Sequence, residues 1–181
     1  MSKVIAVAGK GGTGKTMLSA LMIRILGSEQ GAKILAIDAD SSVSLSYALG
    51  MDKIETLSDV RAKLIEDPFM RKQVMERHIR DVIGNILKHS NGFDLLVMGR
   101  PEGPGCYCGI NDLLRYGIES LSKEYDFVIV DGEAGPEQIN RRVLRRINIL
   151  IKNYLRQKLS PLPSVENINT PYIVVGCFSH I

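Results

Sequence analysis

The sequence predicts an α/β protein of three layers, with a mainly parallel sheet between helices, and three observations carry that expectation. Apolar runs recur at 4–8, 33–38, 93–98 and 127–130, and they are continuous rather than alternating, the habit of strands covered on both faces. Helical stretches fit between them at 15–29, over much of 56–90, at 110–123 and at 136–147. The 181 residues are 45% hydrophobic with a net charge of +3, enough to bury a real core and too near balance to favour nucleic acid as the main ligand.

The first strand runs directly into Gly9-Lys10-Gly11-Gly12-Thr13-Gly14-Lys15-Thr16. The spacing G-x4-G-K-[ST] lets the backbone amides of Gly11, Gly12, Thr13 and Gly14 point at phosphate oxygens, with the positive end of the next helix behind them. Lys15 is placed to neutralise β and γ oxygens, and Thr16 to offer its hydroxyl to Mg²⁺. A nucleoside triphosphate ligand and a P-loop NTPase fold follow. A glycine-rich turn with no ligand is the alternative.

Lys10 is an addition that an ordinary loop of this kind does not need. With it, the loop resembles the deviant Walker A signature K-G-G-x-G-K-[ST] of the ATPases that include septum-site and plasmid-partition proteins, the nitrogenase iron protein and metallocentre-maturation factors. The resemblance implies ATP as the nucleotide and a homodimer in which Lys10 crosses onto the partner's nucleotide. A cation supplied in that way stabilises charge on the transferred phosphoryl group. A solvated loop lysine is the alternative.

The second strand closes as Asp38-Ala39-Asp40. Ligands of open parallel sheets collect beyond the carboxyl ends of strands, so both acids qualify as site residues. By resemblance Asp40 orients the attacking water and Asp38 supports the Mg²⁺ shell; capping of the next helix is the simpler reading. Asp131 closes the fourth apolar run, where a Walker B carboxylate reaches Mg²⁺ through water. Segments 38–46 and 131–138 are the expected switch regions. In the long middle segment, Asp67-Pro68 starts a new helix.

After the third strand, Pro101-Glu102-Gly103-Pro104-Gly105-Cys106-Tyr107-Cys108-Gly109 brings two thiols within two residues. A disulfide between them would close a small, strained ring. Thiolates so close suit Zn²⁺, Ni²⁺ or Cu⁺, and a twofold axis would supply Cys106 and Cys108 a second time to complete four ligands. Cysteines without metal are the alternative.

The resemblance then narrows to the CooC-type ATPases that mature the nickel centre of carbon monoxide dehydrogenase, and to the related acetyl-CoA synthase maturation factor. It rests on the C-x-C and on Glu133-Ala134-Gly135-Pro136-Glu137 with Arg141-Arg142, and it covers residues 2 to about 150. It implies an ATP-hydrolysing accessory protein that carries Ni²⁺ or Zn²⁺ at the shared cysteines and delivers nickel to the apo-enzyme. Ser41 stands where those proteins usually have proline, and Gln138 where histidine is common. Residues 1–150 are expected to form the ATPase domain and 151–181 an atypical, shortened C-terminal tail with an edge strand at 171–178.

Other features carry simpler readings. Three cysteines without a secretory layout argue for reduced thiols and a cytoplasmic protein, and no apolar span approaches the length of a membrane crossing. Arg141, Arg142, Arg145 and Arg146 form a solvated helical face, His78, His89 and His180 lack ligand spacing, the methionines are core fillers, and Cys177 packs as a small hydrophobe. Two competing functions stand beside nickel insertion. A positioning or partition ATPase needs a membrane-targeting tail or a DNA-binding surface, neither of which is evident; a nucleotide-binding module without turnover would fit the unusual tail.

Overall fold

The computed structural model describes residues 2–29, 31–67, 69, 72, 79–100, 108–132, 147–156 and 172–178. The strands are β1 (Lys3–Gly9), β2 (Ile34–Asp38), β3 (Lys88–Ser90), β4 (Phe93–Val97), β5 (Phe127–Asp131), β6 (Ile149–Arg156) and β7 (Tyr172–Phe178). They form one seven-stranded sheet in the order β3-β4-β2-β5-β1-β6-β7. Every neighbouring pair is parallel except β3 with β4. The helices described are α1 (Lys15–Glu29), α2 (Ser44–Ala48), α3 (Leu57–Glu66), α4 (Ile79–Asn85) and α5 (Cys108–Ser122).

Alternate residues of the central strands feed cores on the two faces of the sheet. Val4, Ala6 and Ala8 of β1, with Leu35, Ile37, Val128 and Val130, pack under Val60 and Leu64 of α3, Ile83 of α4 and Ile118 of α5. On the opposite face, Ile34, Ala36, Leu95, Val97 and Ile129 meet Ala20 and Ile23 of α1 and Leu45 of α2. Burial on both faces is why the strands read as continuous apolar runs. The α/β layering predicted from sequence is therefore the architecture observed.

The helix ends follow local rules. Thr56 caps α3 with a reciprocal capping box, its hydroxyl accepting from the Asp59 amide while the Asp59 carboxylate accepts from the Thr56 amide. The close crossing of α4 and α5 requires Gly117, where a Cβ would stand 2.5 Å from Ile83 Cδ1.

Two expectations need correction, and one helix is added within an expected segment. The helical stretch over 56–90 gives way to a strand at Lys88–Ser90, which pairs antiparallel with β4; all three residues are exposed, so no apolar pattern announces it. Helix α2 lies inside the expected switch segment 38–46 and beyond it. The sheet also continues through Ile149–Arg156, a strand the sequence does not suggest because Lys152 and Asn153 interrupt it. What holds β6 is pairing with β1, in register from Ile5 with Ile149 to Gly9 with Asn153, with Leu150 and Ile151 buried. β7 then pairs with β6 at the sheet edge. The expected helix at 136–147 lies outside the described residues but for its last one.

Candidate functional site

The chain leaves β1 in one direction through α1 to β2, while β6 lies on the other side of β1, so a crevice opens at the carboxyl ends of β1, β2 and β5. Register brings three of those ends level: Val7 pairs with Asp131, and Asp131 with Asp38. The backbone ties them further, with Ala39 N donating to Asp131 O at 2.9 Å and Gly132 N to Val7 O at 2.9 Å.

Residues 10–14 form the turn between β1 and α1. Gly12 and Gly14 adopt φ of 74° and 83°, a region that residues with a Cβ rarely enter. A Cβ built at Gly11, Gly12 or Gly14 meets no protein atom within 4 Å, and all three glycines are exposed, so nothing in the chain covers this turn at those positions. Thr13 Oγ1 and Lys15 Nζ both donate to the Lys10 carbonyl, at 2.9 Å and 3.1 Å, which curls the turn over the start of α1. Thr13 and Lys15 are buried, Thr16 is half-buried, and Lys10 is exposed.

The acids divide by burial. Asp38 is fully buried, and its carboxylate caps the short α2 from outside: Oδ2 accepts from Leu45 N at 2.9 Å and Ser46 N at 3.4 Å, while Oδ1 accepts from Asp40 N at 3.2 Å. Burial pushes its carboxyl up to about 6, the nearby Asp131 adds to the rise, and the three amides oppose it. Asp40 is half-buried and accepts from the amide and hydroxyl of Ser42, both at 2.8 Å. Asp131 is buried, and Ser19 Oγ donates to its Oδ1 at 3.1 Å. Burial raises the Asp131 carboxyl as well; the Thr16 and Ser19 hydroxyls and Lys15 pull it back, and Asp40 adds to the rise.

Among the described residues, the buried side-chain polar atoms lacking a hydrogen-bond partner are Ser2 Oγ and Asp131 Oδ2. An unpartnered carboxylate oxygen is the costlier of the two, because a charged group out of water demands compensation. The Thr16 hydroxyl and the Lys15 ammonium are near enough to the same carboxyl to soften its rise. This oxygen-rich donor set, next to an open cradle of backbone amides, fits Mg²⁺ held together with phosphates.

Gly11, Gly12, Thr13, Gly14, Lys15, Thr16, Asp38, Asp40 and Asp131 thus lie at one end of the sheet. Cys106 lies outside the described residues, as do 133–138 of the second expected switch; Cys108 begins α5. Among the described residues, no group of three or more His, Cys, Asp or Glu could hold a metal ion, and no helix is long and apolar enough to cross a membrane. Sequence reasoning missed Ser19 and Ser44, the latter with its Oγ 3.2 Å from Thr16 Oγ1. For Ser19 a signal existed: it follows Lys15 by one helical turn, a polar residue on the apolar stripe shared with Ala20 and Ile23.

A family model described as an AAA domain matches residues 2–151. An uncharacterised ATP-binding protein of Methanocaldococcus jannaschii is 42% identical over 152 residues, covering 82% of this chain and 60% of that protein. The carbon monoxide dehydrogenase accessory protein CooC of Rhodospirillum rubrum is 29% identical over 161 residues, covering 81% of this chain and 60% of its own. The chain therefore spans about three fifths of the length of these relatives. Among solved structures, a ParA family ATPase from Chlorobium tepidum superposes with a TM-score of 0.65 at 18% identity, over 97% of this chain and 74% of that one. The septum site-determining protein MinD of Pyrococcus horikoshii, complexed with Mg-ADP, gives 0.58 at 23% identity, over 87% and 59%. At such identities the likeness speaks for the fold alone.

Proposed function

Because the chain belongs to the AAA domain family of P-loop ATPases, we propose that it binds ATP with Mg²⁺ in the β1–α1 turn, hydrolyses it as a homodimer, and serves nickel insertion into carbon monoxide dehydrogenase or acetyl-CoA synthase. The observation that carries the nucleotide part is the buried, unpartnered Asp131 Oδ2 at the same end of the sheet as the glycine turn, with Lys15 and Thr16 near enough to lower its carboxyl. Thr16 and Asp131 would hold Mg²⁺ and Asp38 would support its shell; the ion would supply positive charge against the phosphates. The amides of residues 11–14 grip phosphate, and Lys15 leaves the Lys10 carbonyl to pair with it. Asp40 orients the attacking water, and Lys10, exposed at the mouth of the turn, reaches across the dimer.

The nickel part rests on the likeness to CooC and on Cys106 and Cys108. Two copies would supply four thiolates to one Ni²⁺ or Zn²⁺ ion, and ATP-driven closure of the dimer would assemble that site.

Two measurements test the two parts. A fluorescent ATP analogue titrated with Mg²⁺ should bind the wild type and lose on the order of 100-fold in affinity in Lys15→Ala, because a charge-assisted phosphate contact is removed. Equal affinity in the two proteins would refute the nucleotide site. Equilibrium dialysis with Ni²⁺ and Zn²⁺, with and without ATP, should give one metal per dimer that disappears in Cys106→Ala/Cys108→Ala. Unchanged stoichiometry would refute the shared metal.

A further inference from the structure

Ser19 is an odd residue for its place. It is wholly inaccessible to solvent on α1, one turn after Lys15, among side chains that pack the sheet. Serine forms helix less well than alanine, and a buried hydroxyl needs a partner, so alanine would suit this position better on packing grounds alone. The partner it has is distant in sequence: Ser19 Oγ donates to Asp131 Oδ1 at 3.1 Å, across 112 positions. The other oxygen of the same carboxylate is the buried atom left without a partner.

An aspartate carboxylate turns about a broad, roughly two-fold torsion, and with neither oxygen held its direction is poorly fixed. Holding Oδ1 from the helix leaves Oδ2 with a single direction. We propose that Ser19 is a positioning residue: its hydroxyl holds Asp131 Oδ1 so that Oδ2 is presented to the divalent cation beside Thr16. This rests on the reading of Asp131 as the carboxylate on the metal side of the nucleotide. Ser19 touches neither nucleotide nor metal; it acts through Asp131, as outer partners of metal-binding carboxylates do.

The test separates metal-linked from metal-free nucleotide binding. The affinity of a fluorescent ATP analogue is measured in Mg²⁺ and in EDTA for the wild type, Ser19→Ala, Ser19→Thr, Asp131→Asn and the Ser19→Ala/Asp131→Asn double variant. Ser19→Ala should keep the EDTA affinity and lose about tenfold in Mg²⁺, the usual scale for removing an outer partner of a metal ligand. Ser19→Thr, which keeps the hydroxyl, should restore the Mg²⁺ affinity. In the Asp131→Asn background the alanine change should cost nothing more, because the group it acts through is gone. Equal losses in Mg²⁺ and EDTA would mark Ser19 as structural only, and an undiminished Mg²⁺ effect in Ser19→Ala would also overturn the proposal. Should Asp131→Asn itself keep the whole Mg²⁺ effect, the reading of Asp131 fails first, and that result is distinct from a failure of Ser19 alone.

Discussion

Asp94, near the start of β4, and Asp131, at the end of β5, are carboxylates of the same sheet whose oxygens meet different fates. Asp94 has both engaged, Oδ1 with His89 Nδ1 at 2.6 Å and Oδ2 with the Tyr125 hydroxyl at 2.7 Å. Burial, then Asp94, pushes the Tyr125 hydroxyl well above the usual tyrosine range, which keeps it a donor. Close by, Asp126 accepts from Lys33 N at 2.9 Å, and Gly27 of α1 lies against Gly92 of the β3–β4 turn. An open groove of about 520 Å³ lies at this amino end, lined in part by Gly27, Lys33, Asp94 and Tyr125. Its carboxylate is nonetheless satisfied. Asp131, in contrast, keeps one buried oxygen free. Unspent bonding capacity, rather than empty volume, distinguishes the end proposed to take a ligand from the end that closes the fold.

That contrast breaks most visibly if the amino end is forced open. A Cβ at Gly27 would stand 2.7 Å from the Gly92 carbonyl oxygen, which is backbone and cannot swing aside. Gly27→Val should therefore cost about 3 kcal/mol of stability, the upper range for overpacking a tight contact. Its affinity for an ATP analogue, measured below the lowered melting temperature, should match the wild type. A variant that melts normally would show that the amino end is looser than its geometry, and one that folds but loses nucleotide would erase the division between the two ends.

The carboxyl end should reveal its burial cost through pH. Asp38 has an ordinary carboxyl value of 3.8 that burial lifts to about 6 in the folded chain, so the folded state holds this proton more tightly than the unfolded one. The resulting stability is fully present below about pH 4 and is lost as pH rises through about 6, the reverse of a salt-bridged acid. The stability difference between wild type and Asp38→Asn, measured by urea unfolding in EDTA without nucleotide, should fall by about 2 kcal/mol between pH 4 and pH 7. A difference that stays flat would mean the amides of Asp40, Leu45 and Ser46 fully offset the burial.

The same contrast explains what the sequence disclosed. β1, β2, β4 and β5 were legible because burial on both faces writes an apolar run, and Asp38 and Asp131 because each ends such a run. β3 was hidden because Lys88, His89 and Ser90 are exposed at an edge and bury nothing. β6 was hidden because it depends on β1: three apolar residues, Ile149 to Ile151, precede Lys152, and pairing with a buried strand supplies the rest. The glycine turn was legible as a motif whose spacing has a physical cause. Ser19 was legible only as a polar residue on an apolar stripe one turn after Lys15, and its partner emerges only when β5 brings Asp131 within hydrogen-bond reach.

The smallest expected effect concerns strain. Val43, immediately before α2, has φ 54° and ψ 41°, a left-handed conformation that a β-branched residue adopts at a cost of about 1 to 2 kcal/mol. It provides no side-chain cap for α2, a task done instead by the carboxylate of Asp38. The strain is held in place by neighbours: Val43 N donates to Asp40 O at 3.2 Å, Ser46 Oγ donates to Val43 O at 3.0 Å, and Ser44 stays near Thr16. Val43→Gly removes the steric cost and adds flexibility to the unfolded chain, which takes back part of the gain. A net stabilisation of about 0.5 to 1 kcal/mol is expected in thermal melts without nucleotide. Lys53, also left-handed at φ 50° but outside the turn that Asp38 and Asp40 build, supplies the control. If Lys53→Gly stabilises equally and only Val43→Gly weakens nucleotide binding in Mg²⁺, the strain at Val43 belongs to the ligand end of the sheet; if neither affects binding, both are ordinary turns and the contrast rests on Asp131 alone.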